Sequence, residues 1–168
     1  MIDRRSAIIA AVGLSAAWML TSSSTRAQQS FQRFVPLLVD LPGWKGNKPD
    51  GVSMESAGNS MVAATREYER GDARLNVQIL AGPAAQGALA TINSGMKIET
   101  SEARMSTSTI DGLQVATTFT KADKSGVILV ALSANALFSF SFNDLSEEEA
   151  MGMAKRFNWK AIQAAVAK

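Results

Sequence analysis

Four carboxylates, Asp144, Glu147, Glu148 and Glu149, fall within six residues and are joined there by the hydroxyl of Ser146. Oxygens at that density suit a hard cation such as calcium or a lanthanide, which is held by carboxylates. Consecutive glutamates on a helix point in different directions, however, and the spacing lacks the EF-hand pattern. The same residues also read as a helix start. Ser146 and Glu149 have the spacing of a capping box, and acidic side chains are favoured at the positive end of a helix dipole.

Thioethers offer a softer chemistry. Met54, Met61, Met96, Met105, Met151 and Met153 are spread along the chain, and methionine sulfur binds copper(I) without needing histidine. Only Met151 and Met153 are close in sequence, and two residues apart on a helix they do not share a face. Gap filling in the core accounts for most of the six.

Trp44, Lys45 and Lys48 form a third candidate, set among Pro42, Gly43, Gly46 and Pro49. An aromatic with two cations on a loop can contact a protein partner or a small ligand. In that role Trp44→Ala weakens binding and leaves the melting temperature alone. The competing reading folds Trp44 back over an end of the core.

The hydroxyls of residues 104–110 and 116–120 could supply a nucleophile activated by Lys97, Lys121 or Lys124 in a histidine-independent hydrolase. Hydroxyl pairs across neighbouring strands explain the same residues. Glu67 and Glu69 share a strand face and could divide acid and base work. With Arg66, Arg70 and Arg74 close by, they also read as a charged hairpin.

Two absences narrow the field. The chain has no histidine and no cysteine, which excludes Ser-His-Asp and Cys-His triads, zinc-binding histidine motifs, c-type haem attachment, blue-copper ligation and disulfides. No dinucleotide-binding glycine motif is present. The sequence therefore implies no cofactor and no catalytic residue, and it points to a non-enzymatic accessory or binding protein.

Export is written at the start. Arg4 and Arg5 precede an apolar stretch over residues 7–20, and Thr25 and Ala27 set up a cut before Gln28, the parts of a secretory signal. The apolar stretch is shorter than the roughly 20 residues of a spanning helix, so no stable membrane anchor is expected after cleavage. A twin-arginine signal usually has a hydrophobic residue two positions after the second arginine. Ala7 stands there, with Asp3 before the pair, and the partial match leaves both twin-arginine and general secretion open.

Cleavage takes the balance from 17 basic and 15 acidic residues to 14 of each. The mature chain, 28–168, is formally neutral and periplasmic, and it shows no basic run of the kind that binds nucleic acid.

The elements around these candidates follow from periodicity. Residues 28–51 are a lead-in of proline, glycine and loop, and a single domain fills 52–168. Seven strand patterns are legible, at 52–56, 61–70, 73–81, 103–110, 113–121, 127–133 and 137–144, with turns at Ala57-Gly58-Asn59, Gly71-Asp72 and Asp111-Gly112. A small-residue helix runs from Gly82 to Gly95, with Pro83 at its first position. A second starts at Ser146 and either continues or restarts after Asn158. The fold class is α+β: an antiparallel sheet of six or seven strands covered by two helices, in the order ββ β α ββββ α.

That order, behind a Leu41-Pro42-Gly43-Trp44 lead-in, resembles the PsbP/Mog1-like group of small α/β proteins, and the chain also looks like small exported proteins of proteobacteria. The resemblance implies a sheet covered by helices and a role in binding partners or assisting assemblies. It carries over no functional residue.

Overall fold

Alternating apolar and polar residues give nine antiparallel strands in the computed structural model, which describes residues 31–56 and 59–167. These are β1 (Lys45–Gly46), β2 (Asp50–Ser56), β3 (Asn59–Arg70), β4 (Ala73–Ala81), β5 (Ile98–Glu99), β6 (Ala103–Ile110), β7 (Leu113–Thr120), β8 (Ser125–Ser133) and β9 (Ala136–Asn143). Three α-helices lie wholly within the described residues: α1 (Gln86–Asn93), α2 (Glu147–Ala154) and α3 (Trp159–Val166). The expected signal residues Arg4, Arg5 and Ala27, and the expected turn at Ala57 and Gly58, lie outside the described residues.

The sheet order is β1-β3-β4-β9-β8-β7-β6-β5, and β2 shares the outer edge of β3 with β1. Nine strands replace the expected six or seven because β1 and β5 are only two residues long. An element that short has no period to read.

The third helix has a local cause. Asn158 leaves helical geometry at ψ 87° and accepts a hydrogen bond from the Ala161 N–H at 3.0 Å, so it caps a new helix instead of continuing α2. Ser146 likewise accepts from the Glu149 N–H at 3.2 Å. At the β6–β7 turn, Asp111 and Gly112 both have positive φ, 51° and 78°, as a type I′ hairpin requires.

Register assigns every strand residue to one of two faces. Leu75, Val77 and Ile79 of β4 lie opposite Phe142, Phe140 and Phe138 of β9. Ile128 and Val130 of β8 continue these rows. Phe157 and Trp159 close over them, with ring centroids 5.4 Å and 6.2 Å from Phe138. This face, under α2 and α3, holds the main core.

The lead-in seals the same face. Phe34, Leu38, Leu41 and Trp44 are buried in that core, so residues 31–51 are part of the folded unit. Arg66 of β3 ties them down. Its Nε donates to the Asn47 carbonyl at 2.8 Å and its Nη1 to the Leu38 carbonyl at 2.7 Å, while Nη2 pairs with Asp40. Tyr68, beneath the Arg66 guanidinium, donates its hydroxyl to the Val39 carbonyl at 2.7 Å.

Burial pushes the Tyr68 phenol up to about 12 from an ordinary 10.0, against the opposing pull of Arg66. A raised acid holds its proton more tightly folded than unfolded, so stability is unaffected below pH 10 and falls as pH rises through the window from 10 to about 12. Alkaline urea titrations of wild type and Tyr68→Phe check this. The wild type should lose more stability across that window than the variant does.

The opposite face is covered only in part. Leu89 and Ile92 of α1 pack on Leu80, Ala116, Leu129 and Leu137, and eight residues of helix span only about 12 Å. In consequence β8, a continuous apolar run over residues 127–132, buries Ile128, Val130 and Leu132 but leaves Val127, Leu129 and Ala131 half-buried.

Candidate functional site

Beyond the end of α1, the partly covered face carries two polar rows. Glu67 of β3, Asn76 of β4 and Ser141 of β9 stand side by side in register, and so do Glu69, Arg74 and Asn143. They line an open cleft of about 350 Å³. Strand alternation puts all six side chains here, because Tyr68, Leu75 and Phe142 between them point into the core.

Within the cleft Arg74 is paired with Glu69. Glu67 receives only a long hydrogen bond from Asn76 Nδ2 at 3.5 Å. The cleft thus combines a carboxylate that pairs with no cation among the described residues with amide and hydroxyl groups that both donate and accept. Such a set can hold a small polar molecule bearing hydroxyl or ammonium groups.

A second cleft, of about 420 Å³, lies where α2 turns into α3, against the β6–β7 turn. It is lined by Lys155, Arg156, Asn158, Trp159, Lys160 and Asp111. Phe157 and Trp159 are the anchors of this corner, buried in the core while Asn158 between them and Lys155, Arg156 and Lys160 on either side face out.

The sequence candidates are distributed as follows. Trp44 is not a loop-surface aromatic: it is 8% exposed, its ring lies in the core, and the Arg70 guanidinium covers it 4.4 Å from the centroid. Lys45 and Lys48 remain exposed. Lys45 lies opposite Glu69 on the face that carries the first cleft, whereas nothing connects Lys48 to either cleft.

The carboxylates around Ser146 do not assemble. Among the described residues no group of three or more metal-ligating side chains could hold an ion. Glu149 turns to Arg70 at 2.5 Å and Glu147 to Arg104 at 3.3 Å. Separate arginines draw them apart, while Asp144 and Glu148 are exposed. Arg104 also pairs with Glu99 at 2.9 Å and holds that carboxyl below its ordinary range.

The methionines stay scattered except Met54 and Met61, which face each other across β2 and β3. Lys121, a possible base, donates to the Thr100 carbonyl at 2.9 Å.

Reading the sequence by elements missed Asn76, Ser141 and Asn143, because the two rows that hold them exist only once β9 pairs with β4. It also missed the second cleft, although Lys155-Arg156-Phe157-Asn158-Trp159-Lys160 is a visible signal: three cations in six residues, with two aromatics between them.

Comparisons with protein-family models, with curated proteins and with solved structures give no match. The class defined by fold is α+β, a nine-stranded antiparallel sheet with three helices.

Proposed function

We propose that the mature chain is a non-enzymatic periplasmic binding protein of PsbP/Mog1-like type, needing no cofactor, which holds a small polar ligand on the open end of its partly covered sheet face. One observation carries this reading. Glu67, Asn76, Ser141 and Asn143 stand in adjacent rows past the end of α1 and line one open cleft. Polar side chains on a rigid sheet are held in fixed positions at little entropic cost, the arrangement a selective site needs. Lys45 and Arg74 border the same rows and could meet an acidic part of the ligand.

Amide NMR spectra of the chain from residue 28, recorded with a panel of sugars, polyamines and amino acids, test the proposal. A binder should shift the resonances of Glu67, Asn76 and Ser141, and Glu67→Gln with Asn76→Ala should abolish the shifts. Turnover of a panel member, or no shift at these residues from any of them, would overturn it.

A further inference from the structure

The corner between α2 and α3 supports a separate inference, independent of the sheet-face cleft. Lys155, Arg156 and Lys160 surround a cleft whose one acidic residue is Asp111. None of the three cations makes an ion pair among the described residues. A chain that is formally neutral after cleavage therefore concentrates positive charge at one rigid place.

Helix electrostatics explain only part of this. Lys155 and Arg156 follow the last turn of α2, where cations are favourable. Lys160 is in the first turn of α3, at the positive end of that helix, and no acidic residue shares the turn. A cation there is unfavourable unless something negative faces it. Trp159 lines the same cleft and is 5% exposed; its indole N–H is sealed from solvent, so the ring forms the floor of the corner and the cations its accessible polar groups. Asn158 uses its side-chain oxygen to cap α3, which leaves its amide N–H₂ as a further donor.

We propose that this corner binds a phosphate group, with Arg156 and Lys160 as its principal charged contacts, Lys155 as a supporting charge, and the Asn158 amide N–H groups as donors. A phosphate oxyanion has several acceptor oxygens and meets both the unbalanced charge and the unused donors. The group can be that of a free phosphate compound or of a lipid headgroup, which share this chemistry.

Calorimetric titration with inorganic phosphate and with glycerol 3-phosphate tests the free source. Co-sedimentation with phosphatidylcholine vesicles, with and without phosphatidylglycerol, tests the lipid source. In at least one arm the wild type should bind, more weakly as salt is raised, and Arg156→Glu with Lys160→Glu should weaken binding by ~10-fold or more. Both positions are exposed, so the variant should keep the wild-type circular dichroism spectrum, and Lys48→Glu, remote from both clefts, should bind as the wild type does. Trp159 fluorescence should change on binding, and Trp159→Phe should remove that change. Absence of binding in both arms, or equal binding by the folded Arg156→Glu, Lys160→Glu variant, would overturn the proposal.

Discussion

Trp44→Ala should lower stability by about 3–5 kcal/mol, the range for removing a large aromatic from a packed core, and the melting temperature by about 10–15 °C for a domain of this size. The ring is nearly sealed and packs with Phe34, Leu38 and Leu41 in the core beneath α2 and α3. It also supports Arg70, whose guanidinium reaches from the ring to Glu149 at the start of α2. Truncation therefore opens a cavity and loosens the link between the lead-in and that helix. Trp44→Phe should cost much less, because the indole N–H has no partner to lose and an aromatic face remains for Arg70. Thermal and urea denaturation of both variants make the check. An unchanged melting temperature in Trp44→Ala would contradict the placement of this ring, and it is the result that a loop-surface role for Trp44 requires.

Gly126→Val should be comparably severe, about 3 kcal/mol, at the upper end of overpacking costs. A Cβ at this position would lie 2.1 Å from the Thr118 carbonyl oxygen and 2.7 Å from the Phe142 ring. Phe119 of β7 and Phe142 of β9 are its direct cross-strand neighbours. Their rings stack above the glycine at 6.2 Å and 18°. The missing side chain is what lets two aromatics from non-adjacent strands meet, and a covered strand glycine of this kind is a recognised device in sheets. Relief of the clash must come from the backbone of β7, since a carbonyl oxygen cannot rotate away as a side chain can. Urea denaturation should show the loss for Gly126→Val and a smaller one for Gly126→Ala. Wild-type stability in both would show that β7 and β8 are spaced more widely than described here.

Comparing Gly126 with Asp111-Gly112 shows what is legible in a sequence. Asp111 and Gly112 bracket two alternating strands and form the expected hairpin, because a two-residue turn is governed by the φ of its own residues. Gly126 reads as the end of the loop before β8, yet it belongs to the strand. Its role depends on Phe119 and Phe142, which lie on either side of it in sequence and meet only in the sheet. Arg66 shows the same limit from the polar side. It reads as one charge on an exposed hairpin, but its side chain is 11% exposed and clamps the lead-in.

The candidate site divides along the same line. Glu67 and Glu69 were visible as carboxylates on one strand face. Asn76, Ser141 and Asn143 join them through the β3–β4–β9 pairing, which no local pattern announces.

By itself, then, the sequence determined the seven longer strands, the helix start at Ser146, the turns at Gly71-Asp72 and Asp111-Gly112 and the absence of histidine and cysteine chemistry. Each of these follows from residue type or from short-range periodicity. The first α-helix, by contrast, begins at Gln86, after a 3-10 turn over Pro83–Ala85 and not at Pro83 itself. Tertiary structure decided which face the helices cover, where Trp44 and the lead-in lie, how the acidic residues near Ser146 are drawn to different arginines, and which polar residues share a cleft. Those outcomes depend on contacts between residues far apart in the chain, and packing and ion pairing select among partners only when the strands are in register.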